Sequence, residues 1–215
     1  MMLSLFLCWM IGFQEHSIEI NQQNQSLSFD AIFQTDLYNS PASDLHDHHF
    51  LVWREGRSSK NALLVAQVSD MAILKALKAL GAQPGNNLTA KAWTKRMDLD
   101  VADPDQHVEG TPVQIEVAWG NQAPVTAADL FEDPGGLGFH FRVGGHKALA
   151  VLWRSGCVVC LESCPGARIS NDTYTMRDLA KLTARFPLKA GVPPSGTPAR
   201  VTVRLVAQLP TVKPR

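Results

Sequence analysis

The stretch SGCVVCLESCPGAR, residues 155–168, carries three of the chain's four cysteines: Cys157, Cys160 and Cys164. The spacing is C-x2-C-x3-C, with Pro165 directly after the last cysteine. Ser155-Gly156 ahead of it and Pro165-Gly166 behind it are turn signals that leave little room for a helix. The segment is therefore a strand or a loop wrapped around something. In a regular strand Cys157 and Cys160 face opposite sides, cannot share an ion, and serve as small core residues. In a loop the three sulfurs can converge, and such tight clustering favours a shared role.

Three chemistries fit converging sulfurs. The spacing matches the last three cysteines and the proline of a bacterial iron–sulfur loop, C-x2-C-x2-C-x3-C-P. The first cysteine of that loop would fall at Arg154, which cannot ligate, and only Cys8 remains elsewhere. A cluster would need a non-cysteine fourth ligand, the distant Cys8, or an open iron. Zinc is the second chemistry: Cys157 and Cys160 form a good pair for a tetrahedral ion, Cys164 gives a third ligand, and His146 or His140 a fourth. A reactive dithiol or a disulfide is the third. It is weakened because no helix opens at Cys160 to lower a thiol pKa.

The rest of the chain places this segment in a packed protein. Of 215 residues, 45% are hydrophobic, enough for one generous domain. Twenty basic residues balance twenty acidic ones, so no electrostatic footprint for nucleic acid is present. The N-terminal MMLSLFLCWMIGF is apolar but too short to span a bilayer as a helix. It reads as a degraded or mis-started export signal ahead of the alternative, a buried first strand, and export points to an extracytoplasmic or periplasmic location. Residues 1–44 are then this segment plus a polar lead-in holding one strand near Leu27–Phe33. The folded domain is expected over residues 45–210, with order beginning near His48.

Within it, HHFLVWREG and NALLVAQVS read as a hairpin. Ser69 caps a helix from Asp70 to Leu80, with Ile73, Leu74, Leu77 and Leu80 on one face and Gly81 as its stop. TPVQIEVAW alternates as a half-buried strand, and a short helix starts at Thr126. GFHFRV alternates too, Gly144-Gly145 reads as a hairpin turn, and Ala148–Arg154 as the return strand leading into the cysteines. Thr175 and Asp178 form a capping-box signature for a second main helix. ARVTVRLVAQL closes the chain as a long strand. Two main helices among six to eight strands, without βαβ alternation, predict a single α+β domain with a mostly antiparallel sheet.

Other polar clusters are weaker. DLHDHHF holds Asp44, His46, Asp47, His48 and His49, but adjacent histidines in a strand point apart, so a polar loop entering the FLVW strand is the preferred reading. GGLG at 135–138 precedes a strand rather than a helix and is no phosphate loop. No catalytic triad order or nucleophile elbow is present.

Several segments together resemble the YdjY-like domain family of bacteria. They are NALLVAQVSDMAILKALKALGAQPGNNL, then Ala92-Trp93 with Arg96, VEGTPVQIEVAWG, the FHFRVGGH hairpin, the cysteine block and the closing GTPARVTVRL strand. The resemblance covers roughly residues 45–208. It implies membership of a largely uncharacterised family, many of whose members are exported and some of which carry a ferredoxin-like label. The expected function is a metal- or iron–sulfur-binding redox accessory using Cys157, Cys160 and Cys164, with His146 as a further metal ligand. A redox or cell-envelope protein is the expected partner; no nucleic acid and no transmembrane helix are expected. The alternative is a non-catalytic extracytoplasmic binding or structural domain whose cysteines pack or form a disulfide.

Overall fold

The computed structural model describes residues 17–38, 48–98, 105–133, 135–180 and 186–207. The apolar segment 1–13 with Cys8, and Asp44, His46 and Asp47, lie outside the described residues. In chain order the elements are β1 (Glu19–Asn21), β2 (Ser26–Phe33), α1 (Thr35–Tyr38), β3 (His49–Trp53), β4 (Ala62–Ala66), α2 (Asp70–Ala79), α3 (Ala90–Thr94), β5 (Pro112–Ala118), α4 (Ala127–Leu130), β6 (Phe141–Val143), α5 (Lys147–Trp153), β7 (Cys157–Cys160), β8 (Ile169–Asn171), α6 (Met176–Ala180) and β9 (Pro198–Leu205).

The strands run in the order β1-β2-β4-β3-β7-β8-β6-β5-β9, and a further β2–β9 pairing joins the ends. Strands β2 to β9 therefore form a closed eight-stranded barrel, with β1 flanking β2. Two of its pairings, β3–β4 and β7–β8, are parallel and the others antiparallel. This overturns the expected α+β domain with two main helices and a mostly antiparallel sheet. The helices among the described residues are six and short, and the sheet is mixed and closed on itself. Closure removes the exposed edges an open sheet would leave.

The closing pair explains itself by pattern. Along β2, Leu27, Phe29, Ala31 and Phe33 are buried in the main core, as are Ala199, Val201 and Val203 of β9. The intervening positions meet in register with polar partners. Ser28 Oγ lies 2.8 Å from Thr202 Oγ1, and Arg200 Nη1 donates to Asp30 Oδ1 at 2.9 Å. Val113, Ile115 and Val117 of β5, with Phe141 and Val143 of β6, continue the core around the ring. The strand expected inside the polar lead-in is thus a stave of the barrel, and order begins well before His48.

The expected hairpin after Trp53 is also corrected. β3 and β4 run parallel, with His49 beside Ala62 and Trp53 beside Ala66. The connection is pinned to the segment ahead of β7: Arg57 N donates to Arg154 O and Ser58 N to Ser155 O. Gly56 permits this approach, since a Cβ there would lie 2.4 Å from Ser155 O and 2.6 Å from Gly156 Cα.

The expected return strand 148–154 is the helix α5. Its composition is rich in Ala and Leu, strong helix formers, and the apparent alternation was that of an all-apolar run. Gly144-Gly145 does not turn a hairpin. Gly145 lies against the carbonyls of Ala167, Pro165 and Cys164, which a Cβ would meet at 2.6–3.2 Å. The helix at Asp70 forms as expected, with Ser69 Oγ accepting from Ala72 N. So does the capping box at Thr175, whose N and Oγ1 donate to Asp178 Oδ2. No helix among the described residues is long and apolar enough to cross a membrane.

Candidate metal centre

Every residue from Gly156 to Asn171 is buried. A buried loop must satisfy its own polar groups, and this one does so closely. Leu161 N donates to His48 O, Ser163 N to Tyr174 O, Ala167 N to Cys164 O and Arg168 N to Cys157 O. Ser163 Oγ accepts from Val108 N and donates to Asn171 O, both at 2.9 Å. Asn171 Nδ2 donates to Leu161 O at 3.0 Å. Arg168 ends the loop in a buried pair with Asp70, its Nη2 at 2.7 Å from Oδ2. Glu162 is the exception. It is fully buried, and neither carboxylate oxygen accepts a hydrogen bond.

Cys157 and Cys160 do lie in a strand, yet they occupy one side. The pairing with β3 passes from Val52–Cys157 to Leu51–Val159, skipping Val158, and then to His49–Cys160, skipping Phe50. The extra residue is a β-bulge, and it reverses the alternation. Val158 and Val159 both join the main core, while Cys157 and Cys160 pack with Cys164, Val52, Ala62 and Ala167. The strand expectation that these two cysteines face apart is corrected by that bulge. All three are free thiols.

The same pairing brings in histidines. His49 opens β3 opposite Cys160, and His48 lies in the preceding turn, outside the constraint of strand alternation. Their rings sit side by side at 4.1 Å between centroids. His48, His49 and Cys160 have donor atoms all within 4.8 Å of one another, and so do Cys160, Glu162 and Cys164. Cys157 Sγ lies 3.5 Å from His49 Nδ1, and His48 Nε2 lies 3.9 Å from Glu162 Oε1.

The YdjY domain model matches residues 18–204. The chain belongs to the YdjY domain family. It is 32% identical over 160 residues to the protein named "Uncharacterized protein YdjY" of Escherichia coli (strain K12), covering 73% of this chain and 67% of that protein. No solved structure matches.

Electrostatics in this YdjY domain favour a neutral site when it is empty of cations. Burial pushes the Glu162 carboxyl up to about 8, against the pull of the Arg96 guanidinium and helped by the charge of Asp178. Arg96 itself stacks on Trp93, 3.8 Å from the ring centroid. Burial, then hydrogen bonding with Cys157, holds the Cys160 thiol well above its ordinary range. Hydrogen bonding with Cys160, then burial, does the same to Cys164. At Cys157 the Cys160 thiol draws the pKa down, but burial and the charges of Cys164, Asp70 and Glu162 outweigh it, and the net shift is upward.

Of the residues singled out from the sequence, Cys157, Cys160 and Cys164 come together. His146 does not join them: it caps α5, its Nδ1 accepting from Leu149 N at 3.2 Å. His140 lies beside Asp172, Nδ1 to Oδ1 at 3.8 Å. The histidines at Cys160 are His48 and His49, from the run read as a polar loop. Glu162 was not singled out, although an acid between two cysteines in CLESC was a usable signal.

Proposed function

We propose that this YdjY domain is a metal-binding protein whose buried centre takes a thiophilic divalent ion on Cys160, Cys164 and Glu162. The observation that carries this reading is Glu162. Both oxygens of this carboxyl are buried without hydrogen-bond donors, and its charged form is costly there unless a cation answers it. Two cysteine sulfurs lie within 4.8 Å of it, and the edge of a tetrahedral zinc–thiolate site is about 3.8 Å. Donors this close suit single ions rather than the wider cage of an iron–sulfur cluster. Every donor is buried, which fits a closed, structural centre rather than a catalytic one with an open position. Thiolate donors select zinc-class ions over calcium or magnesium, which prefer all-oxygen shells.

The second reading is that the cysteines only pack. It is favoured by their apolar neighbours Val52, Ala62 and Ala167. Metal analysis of tag-free protein, purified anaerobically and dialysed, separates the two. The metal reading expects a stoichiometric thiophilic ion that the Cys160→Ser variant loses. Metal-free protein that takes up no zinc or cobalt when either is supplied would overturn it.

A further inference from the structure

We infer that the centre holds two divalent ions bridged by the Cys160 sulfur. This second ion rests on the metal reading above and extends it. The donors form two groups, and Cys160 is the one residue common to both. One wing is Glu162 with Cys164; the other is His48 with His49. Cys157 lies outside both groups, but its Sγ is 3.5 Å from His49 Nδ1, a separation close to a ligand–ligand edge, and on that contact it is taken with the second wing. Six residues, with seven donor atoms when both oxygens of Glu162 are counted, exceed the four that a tetrahedral ion takes. Divided at Cys160, they give two sets: Cys157, His48, His49 and Cys160 on one ion, and Cys160, Cys164 and the two oxygens of Glu162 on the other. A thiolate sulfur has lone pairs for two metals, so the shared position is chemically ordinary.

Charge leads to the same count. As ligands, Cys157, Cys160, Cys164 and Glu162 bring four negative charges into a site with no exposed member. One divalent ion leaves two of those charges uncompensated in a low-dielectric interior; two divalent ions neutralise all four. Arg168, the one lysine or arginine buried among the described residues, cannot serve instead, because it is paired with Asp70. The ligand class is therefore a pair of zinc-class ions, with imidazole and thiolate donors on one and thiolate and carboxylate donors on the other.

The test is a titration of metal-free, tag-free, full-length protein with cobalt(II), followed by zinc(II), read by metal content after dialysis and by electron paramagnetic resonance. Two ions per chain are expected. The cobalt signal should grow to one equivalent and then fall as the second cobalt couples magnetically through the shared sulfur. His49→Ala should retain one ion on Cys160, Cys164 and Glu162, with wild-type circular dichroism as a check on folding. One ion per chain in the wild type, or two that show no coupling, would overturn the bridged pair and leave the single-ion reading standing. No ion at all would remove both. The wild-type count alone decides the matter if the variant does not fold.

Discussion

Arg168 closes the cysteine loop onto the first residue of α2: its Nε and Nη2 both lie 2.7 Å from Oδ2 of Asp70, and both side chains are nearly excluded from solvent. Removing one member strands the other charge. Asp70→Ala should cost about 3–5 kcal/mol, whereas the apolar double replacement Asp70→Leu with Arg168→Met should cost much less. Denaturant unfolding of the three proteins measures this. Equal losses in the single and double variants would show that the pair acts through packing instead.

Ser163 sits between the two donors Glu162 and Cys164 and accounts for two backbone groups. Ser163→Ala leaves Val108 N–H and Asn171 C=O unpaired, at a cost of about 1–3 kcal/mol. The same hydroxyl fixes the loop that aims the ligands, so zinc affinity should fall about 10- to 100-fold. Competition with a chelating dye reads the affinity; unchanged affinity at reduced stability would confine Ser163 to folding.

The metal-free protein should lose stability as pH rises. The folded Glu162 carboxyl titrates at about 8, against 4.5 for the ordinary group. Between these values the native state holds a proton that the unfolded chain has released. Stability from this group is thus complete below the lower value and declines toward the upper one, by at most about 1.4 kcal/mol per pH unit. Glu162→Gln should flatten the profile between pH 5 and 8, a window set by those two values. A wild-type profile already flat there counts against the buried, unsolvated carboxylate.

Two glycines separate crowding from conformation. At Gly81, φ is +101° and a Cβ would meet nothing within 4 Å. Gly81→Ala should cost about 1–2 kcal/mol, from backbone strain alone. At Gly56 the added carbon strikes backbone of the segment leading into β7, so Gly56→Ala should cost roughly 3 kcal/mol, the upper end for overpacking. Thermal melts order the two; the reverse order would mean that the connection between β3 and β4 yields easily.

Local pattern made much of the fold legible. Ile73 and Leu77 at helical spacing behind Ser69, the alternation of Val113, Ile115 and Val117, and Thr175 three residues before Asp178 each specify structure within a few neighbours. Barrel closure was not legible, because Phe29 and Val201 meet across most of the chain and either strand alone reads as part of an open sheet. The α5 segment misled because nearly all of it is apolar; Leu152 is 72% exposed there, which no burial pattern predicts. At the candidate site, the cysteine spacing was visible but its parity was not. Whether Cys157 faces Cys160 depends on one unpaired residue, Val158, and that depends on how β3 lies alongside. The same tertiary pairing delivers His48 and His49 to Cys160, whereas the ring of His146, nearer in sequence, caps α5.

The ring is shut by a strand pair whose members are made at opposite times. Synthesis proceeds from the N-terminus, and a domain folds as a unit. β2 leaves the ribosome early, and its neighbour β9 comes after every other stave. Until residues 198–205 are out, β2 lacks the partner that closes the ring. By then His48, His49, Cys157, Cys160, Glu162 and Cys164 have all emerged, so the buried centre has its complete set of side chains before the wall is sealed.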